Sequence, residues 1–263
     1  MLNKRKFLEA IQKFDEALHI DPECIPALGN KGNALSGLRR DEEALECYEN
    51  VLKIDPRDHL ALCHIGDIHR IQKHFVEAEN FLKRAVLAKP QAPEGYYYLG
   101  LLKEDLKDLA IAIDCHSKAI GKNRNYFPSW AQKGKVLNEL GDYKGALNCL
   151  DRAIEIDNSD AAVWNWKGIS LISMGLVNYA IDCFRKSIEL APDDLDAKTN
   201  LGNALYKKGD TATAISLMEE VLAKDPKNIN ALNNKGLILT KTDKLDAALA
   251  TFNKILENDD NNL

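Results

Sequence analysis

The chain has 263 residues, with 35 Lys and Arg against 40 Asp and Glu for a formal charge of −5. Its longest basic run is Lys4 to Lys6, so it lacks the clustered positive charge that drives binding to a phosphate backbone, and nucleic acid is not an expected partner. No apolar stretch approaches the ~18 residues that span a bilayer, so no membrane role is expected and the protein reads as soluble and cytoplasmic.

In chain order, the first segment carries Phe7, Leu8, Ile11 and Phe14 interrupted by Glu9, Gln12 and Lys13, which is an amphipathic helix and not the apolar core of a signal peptide. It stops at Asp21-Pro22. From Ile25 onward the pattern returns every 34 residues: Gly at Gly32, Gly66, Gly100, Gly134, Gly168, Gly202 and Gly236, and Ala at Ala44, Ala78, Ala112, Ala146, Ala180, Ala214 and Ala248. A period of this length overrides the prior set by size and predicts one quasi-linear array without an internal domain boundary. Residues 1–24 are half a unit, and complete units cover 25–58, 59–92, 93–126, 127–160, 161–194, 195–228 and 229–262.

Each unit predicts two amphipathic helices, over roughly positions 2 to 14 and 17 to 30. Gly141, Gly175 and Gly209 at position 15 suit a left-handed helix terminus, and Asp142 and Asp210 beside them can cap the next helix. The second helix is expected to stop at Asp21-Pro22, Asp55-Pro56 and Asp225-Pro226, with Pro90 and Pro192 in the same phase, because Pro lacks the donor that continues a helix.

Within 127–160, Trp130, Gly134, Leu137, Gly141, Asp142, Ala146, Leu150 and Ala153 fall at positions 4, 8, 11, 15, 16, 20, 24 and 27. In length and pattern this resembles the tetratricopeptide repeat, a helix–turn–helix unit, and the resemblance covers essentially the whole chain. It implies an all-α fold, an α-α superhelix (TPR solenoid) of antiparallel helix pairs with about 15 helices. Small Gly at position 8 and Ala at position 20 let the paired backbones approach, with Trp130, Trp164, Tyr48, Phe184 and Phe252 filling the gaps and nothing polar needed there.

Some units depart from the pattern. The third places Lys103, His116, Lys122 and Arg124 where Leu, Phe, an apolar residue and Pro are expected, so a looser joint is predicted around Asn123 to Tyr126. Position 7 holds Lys31, Lys133, Lys167 and Lys235, whose alkyl stems can cover the groove between repeats while the ammonium reaches water. Cys47, Cys115, Cys149 and Cys183 share position 23, too far apart for bridging, and read as small apolar groups. At the other end, Leu249, Phe252, Ile255 and Leu256 are expected to present an uncovered apolar face, as in a piece of a longer array or an end that meets a partner.

No catalytic constellation, phosphate-cradling loop or nucleotide fingerprint appears, so neither an enzyme nor a cofactor is expected. His59, Cys63 and Asp67 at i, i+4 and i+8 form the sharpest metal candidate, on the side of a helix expected to face solvent, but they match no recognised ligand spacing and no metal is assigned. His59, His64, His69 and His74 recur every five residues, a step that turns a helix by roughly 140° and puts them on different faces.

In proteins that this chain resembles, positions 2, 5, 6, 9, 12 and 13 of the first helices face the ligand. The resemblance thus implies a peptide-binding groove of Asn30, Asn33, His64, Asp67, Tyr97, Tyr98, Gln132, Lys135, Asn165, Trp166, Asn200, Asn203, Asn233 and Asn234. Asn offers a donor pair and an acceptor to a peptide backbone, and Tyr and Trp supply flat apolar area with a polar tip. Asn203 and Asn234 match two asparagines of relatives that clamp a C-terminal carboxylate, but Thr199 replaces the lysine and no such clamp is assigned. The expected function is a non-catalytic scaffold that holds a peptide or partner protein. The alternative is a structural array fragment that self-associates through its terminal helices.

Overall fold

The computed structural model describes residues 2–260, with side chains over 4–256. Among the described residues the structure is all-α, with 15 helices arranged as antiparallel pairs and no strand. The chain divides into two compact units, residues 1–129 and 130–263. The first holds α1 (Leu2–Ile20), α2 (Ile25–Gly37), α3 (Asp41–Ile54), α4 (His59–Ile71), α5 (Phe75–Ala88), α6 (Glu94–Asp105), α7 (Leu109–Lys122) and the start of α8 (Phe127–Glu139). The second holds the rest of α8, then α9 (Tyr143–Ile156), α10 (Ala161–Ser173), α11 (Val177–Leu190), α12 (Leu195–Lys208), α13 (Thr211–Lys224), α14 (Ile229–Lys241) and α15 (Leu245–Asp260). The 34-residue period runs through the division, which falls inside α8.

Close helix approach has the predicted cause and a more specific partner. A Cβ added at Gly66, Gly100 or Gly134 would meet Leu82, His116 or Leu150 at 2.5–2.7 Å, so position 8 is kept bare for the side chain at position 24 of the same repeat. The Ala at position 20 is fully buried from Ala44 to Ala214, and its carbonyl lies 3.4 Å from the missing Cβ in three repeats. Such sites tolerate no added volume, because interiors are packed as densely as organic crystals.

The turn inside each repeat is the same device seven times. Position 15 takes positive φ in every unit: Gly141 (79°), Gly175 (79°) and Gly209 (98°), but also Arg39 (62°), Lys73 (63°), Lys107 (63°) and Asp243 (61°). The next amide reaches back to the carbonyl five residues earlier, as Arg40 to Leu35 at 3.0 Å and Asp142 to Leu137 at 2.9 Å, closing the helix end that the left-handed residue allows. Asp142 and Asp210 cap α9 and α13 through the amides of Gly145 and Thr213. Caps at position 34 were not anticipated from the sequence: Asp58, Asp160, Asp194 and Asn228 accept from the first turns of α4, α10, α12 and α14. The Asp-Pro stops hold, with α1, α3 and α13 ending at Ile20, Ile54 and Lys224.

Three expectations are corrected. The space between paired helices is not wholly apolar, since His116 is fully buried beneath Gly100 with its Nε2 2.9 Å from Oε1 of Glu104. The stretch after α7 is not loose. Asn123 Oδ1 accepts from the Asn125 amide at 2.9 Å, and the Tyr126 ring meets Tyr97 edge-on at 5.8 Å. The position-7 lysines do more than reach water: Lys31, Lys167 and Lys235 pair with Asp15, Asp151 and Glu219 at 2.6–2.8 Å, each at position 25 of the preceding repeat. Lys103 similarly meets Glu79 at 3.2 Å. Cys47, Cys115, Cys149 and Cys183 are buried and unbridged, and burial pushes the Cys183 thiol up to about 11.

Candidate functional site

In the first unit, rings from α3, α4, α6 and the turn before α8 meet in series. Tyr48 is buried under Gly32, and its hydroxyl donates to Asn33 Oδ1 at 2.7 Å. His64 stacks on Tyr48 with centroids 5.1 Å apart and meets Tyr98 edge-on at 6.0 Å. Tyr98 meets Tyr97 at 5.1 Å, and Tyr97 carries the chain of rings on to Tyr126. Burial pushes the Tyr48, Tyr98 and Tyr126 hydroxyls well above the ordinary range and Tyr97 to about 12, so all four stay protonated donors. Burial also holds His64 below its ordinary value, which keeps the stacked ring neutral near pH 7.

Asn30, Asn33 and His64 line a pocket of about 320 Å³ with Ile25, Pro26, Tyr48 and Leu60. Asp67 Oδ1 accepts from Arg70 Nε at 2.8 Å, which holds the carboxylate in place.

In the second unit the corresponding helices present amides. Asn165, Trp166, Asn200, Asn233 and Asn234 surround one pocket of about 450 Å³, joined by Ile169, Thr199, Asp196 and Asn230. Asn200 Nδ2 donates to the buried Asn165 Oδ1 at 3.0 Å, which orients both side chains. Asp196 and Asn230 both stand at position 2, a position that the resemblance places toward the ligand, although neither residue was among those expected there. Thr199, where a clamp lysine would stand, is buried at the pocket wall and donates to the Leu195 carbonyl of its own helix at 2.8 Å.

Other expected groove residues lie outside this pocket. Gln132 is half-buried, and its Oε1 has no hydrogen-bond partner among the described residues. Lys135 approaches Glu139 at 3.9 Å, and Asn203 is half-buried away from the pocket lining. Asn138, which sequence reasoning missed, bridges by donating to the Trp166 carbonyl at 2.8 Å and accepting from the Ser170 hydroxyl at 2.6 Å.

The metal candidate does not have the expected exposure. Cys63 is fully buried, its thiol pushed up to about 12 by burial, and His59 lies 3.9 Å from Glu94. The histidine series needs a correction too: His74 lies beyond the end of α4, so the turn brings its ring to 5.9 Å from His69. No helix among the described residues is long and apolar enough to cross a membrane.

Comparison with known proteins agrees with the fold. Tetratricopeptide repeat models match residues 25–58 and 229–262, and a CABIN1 N-terminal domain model matches residues 125–243. The chain is 28% identical over 144 residues to a probable UDP-N-acetylglucosamine–peptide N-acetylglucosaminyltransferase SPINDLY of Hordeum vulgare, a match covering 52% of this chain and 15% of that protein. It is 25% identical over 116 residues to anaphase-promoting complex subunit 6 of Arabidopsis thaliana, covering 44% of this chain and 21% of the relative. These matches span only a small part of either relative.

Among solved structures, the APC/C hetero-tetramer Cut9-Hcn1 contains a chain with a TM-score of 0.79 at 18% identity, covering 90% of this chain and 46% of that one. A thermophilic TPR protein of Thermus thermophilus gives 0.59 at 25% identity, covering 70% and 100%. Stacked antiparallel helix pairs with small residues at each crossing define a helical-repeat protein. The chain is a tetratricopeptide repeat protein.

Proposed function

We propose that this chain is a protein-interaction scaffold, without catalysis of its own, that holds a peptide or partner protein against the first helices of its repeats. The observation that carries the reading is the amide pocket of the second unit, where Asn200, Asn233 and Asn234 line one space beside Trp166. Side-chain amides satisfy the backbone donors and acceptors of an extended segment whatever its sequence, and the indole adds apolar area. The ring-lined pocket of the first unit, with Asn30, Asn33 and His64, suits apolar or aromatic side chains of the same class of ligand. The same chemistry and the net acidic charge favour a protein partner over nucleic acid. The transferase activity in the name of the barley relative stays with that protein, since the match covers 15% of its length.

Replacing Asn200, Asn233 and Asn234 together by Ala should abolish capture of partners that the native chain retrieves from its own cell extract, with the helical signal in circular dichroism unchanged. Undiminished capture would refute the groove.

A second reading, self-association through the last helix, is favoured by Leu245, Leu249 and Leu256, which are 58–62% exposed on α15. Phe252 and Ile255 are half-buried and contribute less than expected. Leu249→Glu with Leu256→Glu should turn an oligomer into a monomer in sedimentation, and a monomeric parent chain would remove this reading.

A further inference from the structure

Every repeat must place position 15 in the left-handed region, yet the two units fill it differently. The second uses Gly141, Gly175 and Gly209, and then Asp243. The first uses only long cations, Arg39, Lys73 and Lys107, at φ of 62–63°. An L side chain in this region is strained where Gly is not, so the backbone does not select these residues. The helix dipole favours positive charge at a C-terminus, but Asp243 adopts the same conformation with the opposite sign, so the dipole does not require a cation.

Two of these cations border a concavity. A pocket of about 500 Å³ is lined by Arg39, Arg70, Ile71, Lys73, Phe75 and Asp105. Arg70 is spent, with Nε on Asp67 at 2.8 Å and Nη1 on Asp105 at 2.5 Å. Arg39 and Lys73 are both exposed, with no carboxylate within ion-pair distance among the described residues. Between them the lining is apolar: Ile71 is 42% exposed and Phe75 is half-buried. The space is several times larger than one carboxylate needs, so unpaired cations flanking an apolar floor match an acidic stretch better than a single small anion.

We propose that this edge of the first unit, with Arg39 and Lys73 around Phe75, docks an acidic protein segment that presents an apolar side chain between carboxylates. The site lies at the turns between helices and does not rest on the amide pocket.

The probe is a fluorescein-labelled octapeptide with one phenylalanine flanked by glutamates, titrated against the full chain and followed by anisotropy. Binding is expected, and it should weaken as salt rises. The double variant Arg39→Gly/Lys73→Gly should bind about tenfold more weakly, as two exposed charge contacts of up to ~1 kcal/mol imply. This variant relieves the backbone at both turns, so the loss cannot be ascribed to unfolding. The Asn200→Ala/Asn234→Ala variant should bind the octapeptide as the parent does, separating this site from the proposed groove. No binding by the parent, equal binding of the same peptide with Gln for Glu, or an unchanged double Gly variant would each overturn the proposal. Tighter binding of a single-stranded oligonucleotide than of the peptide would overturn it in favour of a phosphate-backbone partner.

Discussion

One side of the first unit is built from rings, with Tyr48 of α3 joining His64, Tyr97 and Tyr98 of the first helices, and the first helices of the second unit present amides, although one 34-residue pattern writes both. Tyr48, His64, Tyr98 and Tyr97 touch in series in the first. Asn165 and Asn200 bond to each other in the second, with Asn233 and Asn234 lining the same pocket. The same phase of the repeat holds different side chains in the two units, and some of them, Tyr48 and Tyr98 among them, also pack against the core. A shared scaffold thus carries two chemistries, one suited to apolar groups and one to backbone amides.

The contrast extends to the helix crossing, and there the difference can be broken most sharply. Gly100 faces the ring of His116, which is fully buried and held by Glu104, whereas Gly202 faces the flexible end of Met218. Gly100→Ala should therefore destabilise by about 1–3 kcal/mol, while Gly202→Ala should be close to neutral because Met adapts. Urea denaturation of the two variants compares them directly, and equal costs would show that the buried ring gives way as easily as the thioether. Ala146→Leu, at the fully buried crossing of α8 and α9, should cost a similar ~1–3 kcal/mol.

A smaller effect of opposite sign separates the turns. Lys107→Gly should stabilise by about 0.5–1 kcal/mol by relieving the left-handed residue, and Gly175→Lys should destabilise by a similar amount. Thermal melts of the two single variants test this, with shifts in opposite directions expected.

Acid should discriminate between the units more gently. All six histidines precede residue 130, and burial holds His59, His64 and His69 below the ordinary value of 6.5. Because the unfolded chain binds those protons more readily than the folded one, stability is full above about pH 7 and declines as pH falls through the unfolded value. Relative to the intrinsic exchange rate at each pH, hydrogen-exchange protection between pH 7 and 5 should fall in α4 and stay little changed in α10 to α14. The three tryptophans, all from residue 130 onward, give a fluorescence check on the second unit.

The ion pairs between successive repeats should matter least. Lys167 and Asp151 are 24% and 51% exposed in their side chains, and Asp151→Ala is expected to cost under about 1 kcal/mol, with a deficit that shrinks in high salt.

Much of this was legible in the sequence because the repeat states its packing requirement seven times and its turn glycine three times. Gly134 and Ala146 announce a close crossing, Gly141 a left-handed end and Asp142 a cap, each at a constant phase. The residue facing Gly at position 8 was also in the pattern, as position 24, but only packing revealed it as the reason for the glycine. Likewise the caps Asp58 and Asp194 stood in phase unread, because an acidic residue before a helix is unremarkable until its amide partners are seen.

Periodicity determined the helix pairs and their turns, since 34-residue spacing converts directly into equivalent places on stacked pairs, while the positions expected to face a ligand came from the resemblance to the tetratricopeptide repeat. The tertiary structure decided which partners individual side chains take. Asp67 Oδ1 bonds Arg70, Thr199 bonds its own helix, and Cys63 is buried despite its place in a metal-like series. Those outcomes depend on partners contributed by neighbouring helices or turns, and on burial that single-helix spacing does not encode.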